Sequence, residues 1–379
     1  MKLLIHDLNE EEFAHISNDY KDFHIISDNG TIRPCIGCFG CWVKTPGKCV
    51  IKDGYDNIGD LIHEAYEVVV ISRYTYGGFS SFVKNVFDRC IGYVSPFFEI
   101  YKDEMHHKKR YPEDKPVTCI FRSDSFTPDQ KEAAKRYVKS MCTNLHGLIK
   151  DISFEECKSY DIDKKTLNKA DNDKEGILFI NCSLRADNAN SKRFLNYIDA
   201  KIKGDKTSVN LLSYMNKQDE LIKLIADSSK IVLSMPLYVD GIPSAPLRLM
   251  EKLEEYSFSE NKKIYLIANM GLFESKQLVN LMNMVKEWSN KCGFEYCGGV
   301  AIGAGEMQGM MTDPSNPGKG PAKNVIIGLN RLSEAVEKST QIEDIYADSN
   351  KFSRSLYMFI ANTSWPRGAR KNGLKKKDL

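Results

Sequence analysis

The chain has 379 residues, more than a single hydrophobic core usually serves, so two domains are expected. Its 42% hydrophobic and 27% charged residues are those of an ordinary globular protein and exclude extensive disorder. A formal net charge of +2 gives no global reason to expect nucleic acid or an acidic membrane as a partner, and no segment approaches the roughly 20 apolar residues of a membrane span.

The N-terminus, MKLLIHDLNEEEF, has a short apolar run followed at once by acids. It reads as a first strand rather than a signal peptide, which implies a cytoplasmic protein. Strand-like runs then recur at residues 2–5, 23–26, 68–71 and 116–121, separated by helical stretches, as βαβ units of a parallel sheet require. A second series follows at 176–181, 208–212, 230–235, 263–268 and 298–303. Between the two, residues 158–174 form a polar, linker-like stretch. The expected architecture is α/β, with two tandem doubly wound parallel five-stranded sheets flanked by helices. The domains are expected at 1–160 and 175–340, with a C-terminal extension at 341–379.

The two series share a detail. VVVISRYTYGGFSSFVKNVFDR and IVLSMPLYVDGIPSAPLRLMEKL both run strand, Tyr-containing loop, Ser and amphipathic helix, which points to duplication. In a doubly wound sheet, ligands sit outside the carboxyl ends of the strands where strand order reverses. In the second half the loop after the first strand offers Ser183, Arg185, Asn188, Asn190 and Ser191 before a helix. Backbone N–H groups at a helix N-terminus, with Ser and Arg donors, make a phosphate cradle, although an ordinary capping loop uses the same residue types. The loop after the third strand, Pro236, Leu237, Tyr238, Val239, Asp240 and Gly241, supplies an aromatic face and a tight turn. After the fourth strand come Asn269 and Gly271. Flat apolar walls with a few backbone donors suit a planar ring system.

Eleven cysteines without a signal peptide are expected to be reduced. Four of them, Cys35, Cys38, Cys41 and Cys49, form a compact C-x2-C-x2-C-x7-C motif with glycines that permit tight turns. Such a loop suits a [4Fe–4S] cluster, redox-active or unmetallated thiols, or zinc. His106 and His107 are adjacent; on a helix they diverge by about 100°, so at most one serves a site. Asp53 and Asp56 are expected to cap the next helix. The basic run from Arg367 to Lys377 is either a solvated tail or a docking element for phosphate or an acidic surface.

This arrangement resembles the NADPH-dependent FMN reductase and multimeric-flavodoxin superfamily, iron–sulfur flavoproteins included. In that superfamily the first loop holds the FMN phosphate, and Ser183, Arg185, Asn188, Asn190 and Ser191 occupy comparable positions, with Asn181 and Cys182 replacing the usual leading Gly. The Pro236-Leu237-Tyr238 run is similar to the family's third-strand loop. In the first half Tyr76, Gly77 and Gly78, with Ser80, Lys84, Asp88 and Arg89, look like its Tyr-x-Gly loop and Lys-to-Asp-Arg helix. There the first-strand loop carries three consecutive acids, Glu10 to Glu12, so the first domain is expected to have lost its phosphate cradle. The cysteine motif is similar to that of the iron–sulfur flavoproteins.

The resemblance implies an FMN-dependent oxidoreductase passing reducing equivalents from NAD(P)H or a ferredoxin to a small acceptor such as a quinone, nitro compound or flavin. The alternative is an iron–sulfur flavoprotein that relays electrons between protein partners without a substrate pocket. No nucleic-acid or membrane partner is expected, and assembly is expected as a homo-oligomer or an internal pseudo-dimer.

Overall fold

The structure is a computed structural model that describes residues 1–157, 164–169, 176–313, 315 and 318–379. The chain divides into two compact units, one formed by Met1–Tyr160 with Ser355–Leu379 and the other by Asp161–Arg354. Most of the linker expected at 158–174 lies outside the described residues.

The first unit opens with β1 (Lys2–His6), α1 (Glu10–Ile16) and β2 (Phe23–Ile26). The cysteine loop follows, with a single turn, α2 (Gly40–Val43), and then α3 (Ile58–Glu64), β3 (Glu67–Arg73) and α4 (Ser81–Arg89). An antiparallel hairpin of β4 (Val94–Tyr101) and β5 (Glu104–Lys109) precedes β6 (Lys115–Ser123), α5 (Pro128–Asn144) and β7 (Gly147–Glu156). The parallel sheet runs β2-β1-β3-β6-β7, which is the flavodoxin-like order 2-1-3-4-5. The apolar runs of β1 and β3 are buried on both faces, with Leu4, Val69 and Ile71 packed together and Phe79, Phe87, Phe121 and Tyr137 in ring contact. The fifth strand, β7, has no apolar run to announce it. It is an edge strand whose residues are exposed or half-buried, so burial imposes no hydrophobic pattern on it.

The second unit begins with the short β8 (Lys165–Leu167) and continues through β9 (Gly176–Asn181), α6 (Asn190–Asp199), β10 (Lys206–Asn210) and α7 (Gln218–Asp227). Then come β11 (Ser228–Pro236), α8 (Ser244–Leu253), β12 (Tyr256–Phe258), which pairs with β8, and β13 (Lys263–Asn269). The unit ends with α9 (Val279–Lys291), β14 (Glu295–Ile302), α10 (Gly305–Met311), α11 (Lys323–Lys338) and β15 (Ile345–Ala347). The sheet order β10-β9-β11-β13-β14-β15 repeats the 2-1-3-4-5 pattern and adds a sixth strand beyond the five expected. Its core joins Phe179, Val232, Tyr265 and Val300 of the sheet to Phe194 of α6 and Leu329 of α11. Among the described residues, no helix is long and apolar enough to cross a membrane.

The last helix, α12 (Arg354–Arg370), belongs to the first unit from Ser355 onward. Asn362 brackets the Phe98 backbone, accepting from its N–H at 2.6 Å and donating to its carbonyl at 3.0 Å. Trp365 lies edge-on to Trp42 and Phe39 of the cysteine loop.

The duplication extends to the turn after each third strand. Thr75 and Gly78 exchange both backbone hydrogen bonds at 2.9 Å, with Tyr76 and Gly77 at positive φ between them. Tyr238 and Gly241 do the same at 3.2 and 3.0 Å, around Val239 and Asp240. Each turn reverses the chain with two left-handed residues, the type I′ geometry. The following helix starts three residues later in both, at Ser81 and Ser244, so the two loops have one length.

Candidate functional site

Both sheets reverse strand order between their first and third strands, which places the candidate site at the carboxyl ends of β1 and β3 in one unit and of β9 and β11 in the other. The two places differ in charge. At the end of β1, Asp7 donates its N–H to Ile71 and turns its carboxylate onto the next turn of chain. That carboxylate accepts from the Arg73 N–H at 2.9 and 3.1 Å and from Ser72 Oγ at 3.3 Å. A built-in anion therefore holds the donors that a phosphate would use. Glu10 to Glu12, expected to be the repelling charges, instead form the first turn of α1. There they favour its positive end, and Glu12 completes a capping box with Asn9.

The same register in the second unit is neutral. Cys182 donates its N–H to Ser234 at 2.8 Å just as Asp7 does to Ile71, and burial pushes its thiol up to about 12. The position matching Arg73 is Pro236, which has no N–H to give. Around this neutral spot Asn181 is fully buried. It donates to the Ala186 carbonyl and to Asn210 Oδ1, and its own Oδ1 accepts from the Ser183 N–H. Ser183 Oγ accepts from the Arg185 N–H at 3.4 Å. Arg185 is half-exposed, 4.0 Å from Glu306. The helix α6 begins after Ala189 with no side chain capping its N–H groups.

Of the other residues expected here, Asn188 is exposed on the loop and Asn190 opens α6. Ser191 and Asn269 are tied to each other at 2.8 Å; Ser191 also accepts at its carbonyl from Ser234, and Asn269 donates to the Met235 carbonyl. They brace three elements together. Pro236, Leu237, Tyr238 and Val239 are half-buried along the turn, Asp240 and Gly241 are buried, and Gly271 is exposed. In the first unit Tyr76, Gly77 and Gly78 are all buried in the equivalent turn.

One contributor escaped sequence reasoning. The helix α10 packs through glycine: a Cβ on Gly309 would sit 2.6 Å from Asn190 Oδ1 at the start of α6, and one on Gly305 would sit 2.9 Å from the Met270 carbonyl just past β13. Gly305 and Gly309 are one helical turn apart, so the spacing alone marks a close-packing face.

The cysteine loop is organised by Arg89. Its guanidinium donates to both Asp53 carboxylate oxygens at 2.9 and 3.0 Å, to the Arg33 and Ile51 carbonyls at 2.7 and 3.0 Å, and to Cys49 Sγ at 3.0 Å. Asp53 thus clamps this loop rather than capping the next helix. Burial alone would raise its pKa, but the bonds from Arg89 and from the Arg33 N–H hold the carboxyl at about 2. Lys84 and Asp88 form an ion pair with no exposed surface one turn earlier on α4. Burial pushes the Cys35 thiol up to about 12, and burial with the neighbouring Cys35, Cys49 and Cys38 raises that of Cys41. The four sulfurs are close enough to feel one another. Among the described residues, however, no group of three or more His, Cys, Asp or Glu side chains is arranged to hold a metal ion. The geometry gives no support to Cys35, Cys38, Cys41 and Cys49 as ligands of a cluster or of zinc.

His106 and His107 lie on a strand, not a helix, and so face opposite ways. The first meets Asn144 Oδ1 at 2.5 Å and the second meets the Ser95 carbonyl at 3.0 Å. Burial lowers the His107 pKa to about 4, and its ring packs on Trp42. His106 is buried and His107 half-buried in the first unit.

Fold and site together define the class: a tandem flavodoxin-like protein with one neutral and one self-occupied switch point. No protein-family description matches the chain, and no curated protein resembles it. Among solved structures it is similar to azoreductase AzrA (14% identity, 43% of this chain and 99% of that one, TM-score 0.32). It is also similar to an azoreductase from Bacillus anthracis str. Sterne (16%, 43% and 99%, 0.31). A third is the Trp repressor binding protein from Bacillus subtilis (14%, 43% and 95%, 0.30). At these scores the likenesses carry no argument, and the fold assignment stands on strand order.

Proposed function

We propose that the chain is an FMN-dependent oxidoreductase whose second unit holds the flavin, passing reducing equivalents from NAD(P)H or a ferredoxin to a small acceptor such as a quinone, nitro compound or flavin. The observation that carries this is the contrast between the switch points: the second offers an uncapped helix start, Ser183 and Arg185 with a neutral thiol at its floor, whereas the first is filled by Asp7. A dianionic phosphate needs donors and the absence of a fixed anion, and the donor set of the second unit fits it. FMN, when bound, supplies the two-electron chemistry. The first-turn N–H groups of α6, Ser183 and Arg185 would hold the phosphate. The turn from Leu237 to Gly241 and the segment around Gly271 would flank the ring, and Asn269, donating to Ser191 of α6 and to the Met235 carbonyl of β11, ties the strands that carry them to each other and to the start of α6.

No iron–sulfur cluster enters this assignment. The test is an FMN titration of the full chain followed by protein and flavin fluorescence. The expected result is saturable binding of one FMN per chain with the visible absorption of a flavoprotein; no binding of FMN overturns the assignment.

A further inference from the structure

The helix α6 opens in a register that its own sequence disfavours. Asn and Ser are strong N-caps, and Asn188, Asn190 and Ser191 all stand at its start, yet the capping position is Ala189, whose methyl group accepts nothing. A shift of one residue in either direction would put Asn188 or Asn190 in that position and let a side-chain oxygen take one of the first-turn N–H groups. Neighbouring elements hold the register instead. Ser191 Oγ accepts from Asn269 Nδ2 at 2.8 Å, and the Asn190 side chain lies against Gly309 of α10.

The second of these contacts leaves no room for a side chain. A Cβ on Gly309 would stand 2.6 Å from Asn190 Oδ1, 3.0 Å from its Cγ and 3.1 Å from its Cβ. A rotamer change can move the first two atoms but not the third, so a methyl group here has to displace either the first residue of α6 or α10 itself. α10 is held in place. Gln308, with no exposed surface, donates to Ser349 Oγ at 2.5 Å and to the Pro321 carbonyl at 3.3 Å, and the Gly305 N–H donates to the Met270 carbonyl at 2.7 Å. The helix is entered through Ala304 at φ 51°, a left-handed conformation that alanine keeps only where its surroundings impose it. Glycine weakens a helix by about 1 kcal/mol relative to alanine, so glycine at 309 answers to the close approach and not to helix formation.

We propose that Gly309 is a positioning residue of the phosphate site: by admitting the Asn190 side chain it holds α6 in the register that leaves its first-turn N–H groups open to a phosphate monoester. This rests on the assignment of FMN to the second unit. Gly309 has no side chain to offer the phosphate and acts through Asn190.

Two substitutions and two ligands test this in the full chain. FMN and riboflavin, which differ only by the phosphate, are titrated into wild type, Gly309→Ala, Asn190→Gly and the double variant by flavin fluorescence, with urea unfolding of each protein. Gly309→Ala should weaken FMN binding at least tenfold and leave riboflavin within about threefold of wild type. In the Asn190→Gly background, where the side chain that meets the new methyl group is gone, the same change should weaken FMN binding less than about threefold, whatever Asn190→Gly does alone. Should Gly309→Ala alone fail to fold, the double variant carries the test, because it lacks the clash and should fold and bind FMN as Asn190→Gly does. FMN affinity unchanged by Gly309→Ala, an equal loss of riboflavin affinity, the same loss in both backgrounds, or a double variant that fails to fold where Asn190→Gly folds overturns the proposal. If wild type binds no FMN, the flavin assignment falls and this inference with it; if wild type and Gly309→Ala bind FMN alike, only this inference falls.

Discussion

The carboxylate of Asp7 accepts from the backbone N–H of Arg73 through both of its oxygens, at 3.1 and 2.9 Å, and so the first unit supplies its own anion at the point where strand order reverses. The matching position in the second unit is the neutral, buried Cys182. Installing the charge there should reproduce the block. Cys182→Asp is expected to weaken FMN binding at least tenfold, about 1.4 kcal/mol, by repulsion of the phosphate. Cys182→Asn, of similar size and no charge, should bind within a few-fold of wild type. Equal affinity of the Asp and Asn variants in the FMN titration would remove the charge argument.

Arg185 and Ser183 are the side-chain donors beside the uncapped start of α6. Removing both as Arg185→Ala/Ser183→Ala should cost roughly 1.5–3 kcal/mol per charge-assisted bond, raising the dissociation constant of FMN by a hundredfold or more. Riboflavin, which lacks the phosphate, should bind wild type and double variant alike. A fall in riboflavin affinity of the same size would show that the substitutions damage the fold rather than a phosphate contact.

The tandem flavodoxin-like plan was legible because buried parallel strands are written as apolar runs, and the two third-strand loops could be matched by eye. What was missed has a physical pattern. β7 sits at a sheet edge, where its exposed residues carry no hydrophobic signal. The inward-turned anion of the first unit is Asp7, one residue past a strand, whereas Glu10 to Glu12 stand out by number and serve the helix start and, through Glu12, an ion pair with Arg122. The Gly305–Gly309 face of α10 became informative only once Asn190 was found against it. The cysteine spacing was compatible with a cluster, with zinc or with free thiols, and it does not encode the Arg89 clamp that reaches the loop from α4.

Val239 stands at φ 35° in the turn between Tyr238 and Gly241, a left-handed conformation that costs a β-branched residue about 1–2 kcal/mol. Val239→Gly removes that strain and should raise unfolding free energy by up to about 1 kcal/mol, less than the full relief because glycine is freer when unfolded. The same change at Ile242, which follows the turn in the core with no exposed surface, should destabilise by several kcal/mol. Urea denaturation of the two variants checks the contrast; a loss of stability in Val239→Gly would mean that its side-chain packing outweighs the backbone strain.

The clamp of Arg89 on Asp53 makes a pH signature. The folded carboxyl, at about 2, lies below the ordinary aspartate value near 3.9, so the unfolded chain binds its proton first as acid is added. The stabilisation is therefore fully present above about pH 4 and is lost as pH falls from there through about 2; with Asp53 largely buried, it amounts to about 2 kcal/mol. Asp53→Asn cannot titrate and should show a shallower fall in unfolding free energy across that window. Arg89→Lys keeps the charge but not the two-pronged geometry, and should retain only part of the acid sensitivity. The measurement is urea unfolding at half-unit steps between pH 5 and 2.5. If wild type and Asp53→Asn lose stability in parallel, the Arg89–Asp53 pair is not what holds the cysteine loop against the first unit.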